Sequence, residues 1–184
     1  MPTKDDWIAA GLDALAEGGE SAIRVDRLAA RLGVTKGSFH HHFRGAATLR
    51  AAVLESFRQS REELAEAIGR GVDEMNEEAA LEHLAALIAR VPDDRLDRAV
   101  RSWALVDERA RAVQDAIDAQ QLAALESIWR RIVPSEHART AALIPFLALV
   151  GASATTAVDR DDIEAVLRML AQEARHVPEI VARL

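Results

Sequence analysis

Between Val25 and Phe43 the chain reads VDRLAARLGVTKGSFHHHF, a stretch with few ways to fold. Val25, Leu28, Ala29 and Leu32 recur at i, i+3, i+4 and i+7, the apolar stripe of a helix about two turns long. Gly33 follows at once, where a helix commonly ends because glycine accepts positive φ without a Cβ clash. Val34 can plug the turn into a core. Thr35 stands where an N-cap is wanted, its hydroxyl placed to accept from an amide of the next helix. Phe39 and Phe43, four apart, give that second helix a buried face, and Lys36, Ser38, His40 and His41 are expected off it. Two short helices around a Gly-Val turn, the second polar outside, form a helix-turn-helix.

The rest of the chain reads as further helices. The first is expected from about Asp5 to Glu17, with Thr3 and Asp6 as a capping box, Ile8, Leu12 and Leu15 as its stripe and Gly18-Gly19 as its stop. The fourth starts near Ala46 and keeps Leu49, Val53, Phe57, Leu64 and Ile68 in helical phase until Gly71. Amphipathic segments then follow at Glu77–Arg90, around Leu96, Val100 and Trp103, at Arg109–Val133 and at Glu136–Thr155. A last substantial helix is capped by Asp161 or Asp162, and Pro178 sets off a short C-terminal turn. With few β-branched runs and five prolines and nine glycines mostly between periodic segments, the class is all-α. The expected architecture is an N-terminal three-helix helix-turn-helix DNA-binding domain, residues 1–46. A long fourth helix fuses it to a C-terminal bundle of about five or six helices, residues 47–184.

Charge supports that division. The net charge of −7 argues against a general polyanion binder. From Arg24 to Arg50, however, one acid, Asp26, faces Arg24, Arg27, Arg31, Lys36, Arg44, Arg50 and three histidines. A basic segment on an acidic body fits a DNA head on a non-DNA body. Enzyme chemistry has no foothold: there is no glycine-rich phosphate loop, no G-x-S-x-G elbow, no cysteine and no H-E-x-x-H. The acid pairs Asp93-Asp94 and Asp161-Asp162 fall at helix starts, where capping explains them. His40, His41 and His42 project about 100° apart on a helix and cannot converge on one metal, so neither metal nor cofactor is expected. The opening MPTKDDWI lacks a signal-peptide layout, and no segment is apolar enough to span a membrane, so a cytoplasmic protein is expected.

The order LA-x-x-LGV-T-K-G-S-F-x-x-HF, preceded by WIAAGLDALAEGG and followed by a long helix opening with Leu49, resembles the tetracycline-repressor (TetR) family of bacterial regulators over roughly Trp7–Phe57. The resemblance implies double-stranded DNA as a partner, with Arg24, Thr35, Lys36, Gly37, Ser38, His40, His41, His42 and Arg44 as contacts. Lys36 and His40 would meet phosphates, and Thr35, Ser38 and His41 base edges or flanking backbone. Gly37, which costs about 1 kcal/mol in a helix relative to alanine, would be offset by close approach of backbone to DNA. The chain departs from the family at His40, where tyrosine is usual, and at Ala46, where many members carry lysine.

Similarity to the family also implies a homodimer and a small-molecule effector, apolar or amphipathic, held between body helices. His83, Leu87, Trp103, Leu125, Trp129 and Phe146 are the candidate pocket residues. Small or apolar residues of the last two helices, Ala141, Ala148, Gly151, Ala152, Val166 and Leu170, are the candidate dimer interface. The resulting expectation is a homodimeric repressor of a palindromic operator, released by its effector. The alternative is a small-molecule binding or interaction protein of the same fold with weakened or lost DNA recognition.

Overall fold

Thr3 starts the first helix. Its Oγ1 accepts from the Asp6 amide at 3.2 Å while its own amide donates to the Asp6 carboxylate at 2.6 Å, the expected capping box. That backbone hydrogen bond, with the one from the Thr3 hydroxyl, holds the Asp6 carboxyl below its usual range. The structure, a computed structural model, describes residues 2–88 and 95–177. Among these there are helices and no strands. α1 spans Lys4–Gly18 and ends at Gly19, whose φ of 71° only glycine adopts without strain.

The buried face of α1 is not the stripe of Ile8, Leu12 and Leu15. It is centred on Trp7, Ala10, Gly11, Ala14 and Leu15, and Ile8 and Leu12 are only partly covered. The reason is proximity to α4 (Ala46–Gly69). A Cβ built on Gly11 would sit 2.5 Å from Val53 Cγ2, so the small residues of α1 form the contact and the large ones flank it.

α2 (Val25–Arg31) closes with a Schellman arrangement. The Gly33 amide donates to Ala30 O at 3.2 Å and the Val34 amide to Ala29 O at 3.0 Å. Gly33 has the positive φ this needs, and Val34 packs partly into the core as expected. α3 is shorter than the sequence suggests. Its α-helical part is Lys36–Phe39, after which His40, His41 and His42 donate to carbonyls three residues back, a 3₁₀-like tightening that carries the chain to Phe43.

The remaining helices are α5 (Glu77–Ile88), α6 (Arg95–Ala104), α7 (Glu108–Trp129), α8 (Ser135–Ser153) and α9 (Arg160–Glu173). Single 3₁₀ turns lie at Glu20–Ala22, Val72–Glu74 and Ala174–His176. α4 stops two residues before Gly71, which is left-handed as its position implied. Asp107 caps α7, its carboxylate accepting from the Arg109 and Ala110 amides at 2.9 Å. α9 is capped by Asp159, with Asp162 its box partner, rather than by Asp161 or Asp162. The expected end of the Glu77–Arg90 helix and the turn at Pro178 lie outside the described residues.

The backbone divides into two compact units, residues 1–61 with 94–117, and residues 62–93 with 118–184. In the first, Trp7, Leu15, Ile23, Leu28, Phe39, Leu49, Val53, Phe57, Val100 and Ile117 form one core. α6 packs on α1 there, and Arg61 of α4 forks onto Asp97 of α6 at 3.0 and 2.6 Å. In the second, Val72, Leu84, Leu125, Ile128, Trp129, Ile132 and the small Ala138, Ala141 and Ala142 of α8 form another core. α9 packs on α8 through Ile163, Leu167 and Ala152. No helix of the described residues is long and apolar enough to cross a membrane.

Gly11→Ala is therefore expected to lower stability. The added methyl overlaps the fully buried Val53, and overpacking of about 1–3 kcal/mol outweighs the helix-propensity gain of roughly 1 kcal/mol. Urea denaturation monitored by circular dichroism measures the balance, and a lower midpoint is the expected outcome.

Candidate nucleic-acid interface

The site rests on stacked rings. Phe39 is 5.4 Å, centroid to centroid, from Phe43 in a stacked geometry and 5.4 Å from Trp7 edge to face, with all three buried. Such pairs contribute about 0.5–1.5 kcal/mol each beyond the area they bury. α1 thus holds the short α3 from beneath, and the His40 ring packs edge-on against Phe39 from outside at 5.4 Å. The Lys4 ammonium lies 5.8 Å over the Phe43 ring.

On the outer side, Thr35, Lys36, Gly37, His40, His41 and Arg44 are exposed and His42 is half-buried. The structure brings these residues of the expected set together on one short segment. Ser38 is different. It was expected on the outer face, but it is 8 % exposed and its Oγ is buried with no partner. One residue before Phe39, and on a helix that packs against α2, it turns inward rather than outward. Thr35 has the extended backbone of an N-cap, yet its hydroxyl accepts no bond from α3 and faces outward.

Gly37 has an ordinary φ, and a Cβ added there would meet only Thr35 Oγ1, at 3.5 Å. Nothing within the chain calls for a glycine at this position.

The basic segment is less free than its composition suggests. Arg24 forks onto Asp26 with both contacts at 3.2 Å. Arg31 reaches across to Glu17 of α1 at 2.5 Å, and Arg50 to Glu20 at 2.7 Å. Partial desolvation pushes the Asp26 carboxyl up, but the hydrogen bond and charge of Arg24, with the field of Lys36, carry it below its usual range. Among the described residues Arg27, Lys36 and Arg44 make no ion pair. Arg27 was not singled out from the sequence. Its signal is its place on the exposed side of α2, one residue after the Arg24–Asp26 pair.

Of the candidate pocket residues, Trp103 lies in the first unit's core with Val100 and Ile117, while His83, Leu87, Leu125, Trp129 and Phe146 lie in the second unit. His83 Nε2 bonds to Ile68 O at 2.7 Å, and the Trp129 indole nitrogen is buried without a partner. Of the candidate interface residues, Ala141 and Ala152 are buried within their own unit, Ala148 and Leu170 partly so, and Gly151 and Val166 are exposed. The large apolar residues left outside on α8 and α9 are Ile144, Leu147, Val166 and Met169, the last 57 % exposed. No group of three metal-ligating side chains gathers among the described residues.

Residues 8–53, from α1 into the opening of α4, match the family model for bacterial regulatory proteins of the tetR family. Among solved structures, a protein of Mesorhizobium loti MAFF303099 assigned as a TetR-family transcriptional regulator superposes with a TM-score of 0.72. The match covers 95 % of each chain at 17 % identity, a likeness of fold. The curated proteins contain no match to this chain.

Because no internal contact requires the glycine, Gly37→Ala is expected to stabilise the free protein by up to about 1 kcal/mol through helix propensity. A rise in the urea midpoint is the outcome to look for.

Proposed function

We propose that this chain, whose residues 8–53 match the family model for bacterial regulatory proteins of the tetR family, is a DNA-binding transcription regulator acting as a homodimeric repressor. The observation that carries this reading is the segment Thr35–His41, in which Thr35, Lys36, Gly37, His40 and His41 are exposed over a buried Phe39 and the glycine is required by no contact among the described residues. A backbone that must come close to a phosphate or base edge accounts for that glycine. Lys36, Arg27 and Arg44 supply charge to phosphates, while Thr35 and His41 face the groove floor and Arg24, held on Asp26, sits at the margin. Ser38, with its side chain buried, leaves the contact set. At the start of α4, where Ala46 brings no charge, backbone amides suit a phosphate.

One short reading helix contacts few base pairs, so selectivity calls for two. The exposed apolar residues of α8 and α9 support a two-fold interface in which two helices from each copy pack together, with Ile144, Leu147, Gly151, Val166 and Met169 at its centre. Ala141 and Ala152 then serve the protomer's own core. Paired heads about 34–36 Å apart, or a multiple, match a palindromic operator. The apolar second core, with Leu125, Trp129, Phe146 and Leu87 and the half-buried His83, suits an apolar or amphipathic effector that favours a conformation with misplaced heads. Such a regulator works in the cytoplasm, where the chromosome is. The pairing of Arg24, Arg31 and Arg50 with acids favours a second reading, a ligand-binding protein of this fold with weakened DNA recognition.

Selection of bound duplexes from a random pool, followed by affinity measurements, separates the two. For the regulator, log K falls steeply with log salt, and Lys36→Ala reduces the slope by roughly one contact and the affinity by about tenfold. Gly37→Ala weakens binding despite its higher stability. Enrichment of no duplex, or salt-independent binding, supports the second reading. Leu147→Glu and Met169→Glu are expected to give monomers by sedimentation, with unchanged helicity; a dimer that survives both places the interface elsewhere.

A further inference from the structure

His40, His41 and His42 stand in sequence at the interface just described, and their setting differs from that of His83 and His176. The His83 ring is bonded to a backbone carbonyl and His176 lies beside Glu173. Among the described residues, no carboxylate or carbonyl bonds to the ring of His40, His41 or His42. The His40 ring packs on that of Phe39. Charged residues lie on α1 (Lys4, Asp5, Asp6), on α2 and its N-cap (Arg24, Asp26, Arg27) and on α3 (Lys36), and Arg44 follows the triplet. Of the acids, Asp6 is held by Thr3 and Asp26 by Arg24, so neither is spent on an imidazole.

A phosphate within hydrogen-bond reach favours the imidazolium, and histidine is the side chain whose ordinary titration lies in the physiological range. We infer that this chain takes up protons onto the His40–His42 cluster when it binds duplex, so that its DNA affinity rises as pH falls through neutrality. The inference rests on the DNA-binding reading above. In each event a proton moves from solvent to an imidazole nitrogen, giving a cation that donates to a phosphate oxygen. His40 and His41, both exposed, are the principal acceptors of the proton; His42, half-buried beside Phe43, contributes less. Uptake of protons on binding makes log K rise with falling pH by the number taken up, and each unit of pKa rise in the complex is worth tenfold in affinity once the transition is complete.

The test uses the full-length protein and the duplex enriched from a random pool at neutral pH. Affinity is measured from about pH 8 to about pH 6 at constant ionic strength for the wild type and for His40→Gln, His41→Gln and the double variant; glutamine keeps a donor and cannot charge. The wild type is expected to gain about tenfold or more over this range and the double variant less than about threefold. Calorimetry in buffers of different ionisation heat gives a second readout, with net proton uptake by the wild type and less by the double variant. Parallel pH curves for wild type and double variant, or zero proton uptake, overturn the linkage while leaving DNA binding intact. Failure to enrich any duplex overturns the DNA reading and the linkage with it.

Discussion

The stack of Phe39 between Trp7 and Phe43 is the contact on which the remaining arrangement depends. α3 is four residues long, and a helix of that length has no stability of its own in water. It is positioned because its single large apolar residue is clamped between a ring of α1 and a ring four residues on. With that clamp in place, the direction of every other side chain of the segment is decided. Ser38 turns inward, and Thr35, Lys36 and His41 turn to solvent.

The clamp in turn depends on how closely α1 approaches α4. Gly11 admits Val53 to a distance that excludes any side chain, and α6 closes the same core through Val100 and Trp103, tied to α4 by the Arg61–Asp97 fork. Arg31–Glu17 and Arg50–Glu20 add exposed ion pairs between neighbouring elements, each worth about 1 kcal/mol at most. Their larger consequence is electrostatic: they withdraw two arginines from the positive field of the segment and leave it to Arg27, Lys36 and Arg44. The positive field of the segment is therefore weaker than its composition suggests.

Much of this was legible in the residues. Gly33 and Val34 announced the turn because a Schellman cap needs a left-handed residue followed by an apolar one, and both requirements are local. Thr3 with Asp6, and Phe39 with Phe43, were legible for the same reason. The features that escaped depend on distant partners. The buried face of α1 was misplaced because the pattern of large residues marks flanks when small residues make the contact. Ser38 looked outward on an ideal helix, but the α-helical part ends at Phe39 and the side chain is buried. The pairing of Arg31 and Arg50 joins residues 14 and 30 positions apart, which no periodicity displays. Likewise, nothing local in α6 tells that it packs on α1.

Hydrogen–deuterium exchange of the full-length protein, with and without an enriched duplex, tests the central claim most directly. Duplex is expected to slow exchange in the peptide spanning Thr35–Arg44 and at the opening of α4, with α8 and α9 unchanged. Exchange that slows only in the second unit, or not at all while duplex is bound, would show that the clamped segment is not the surface that meets DNA.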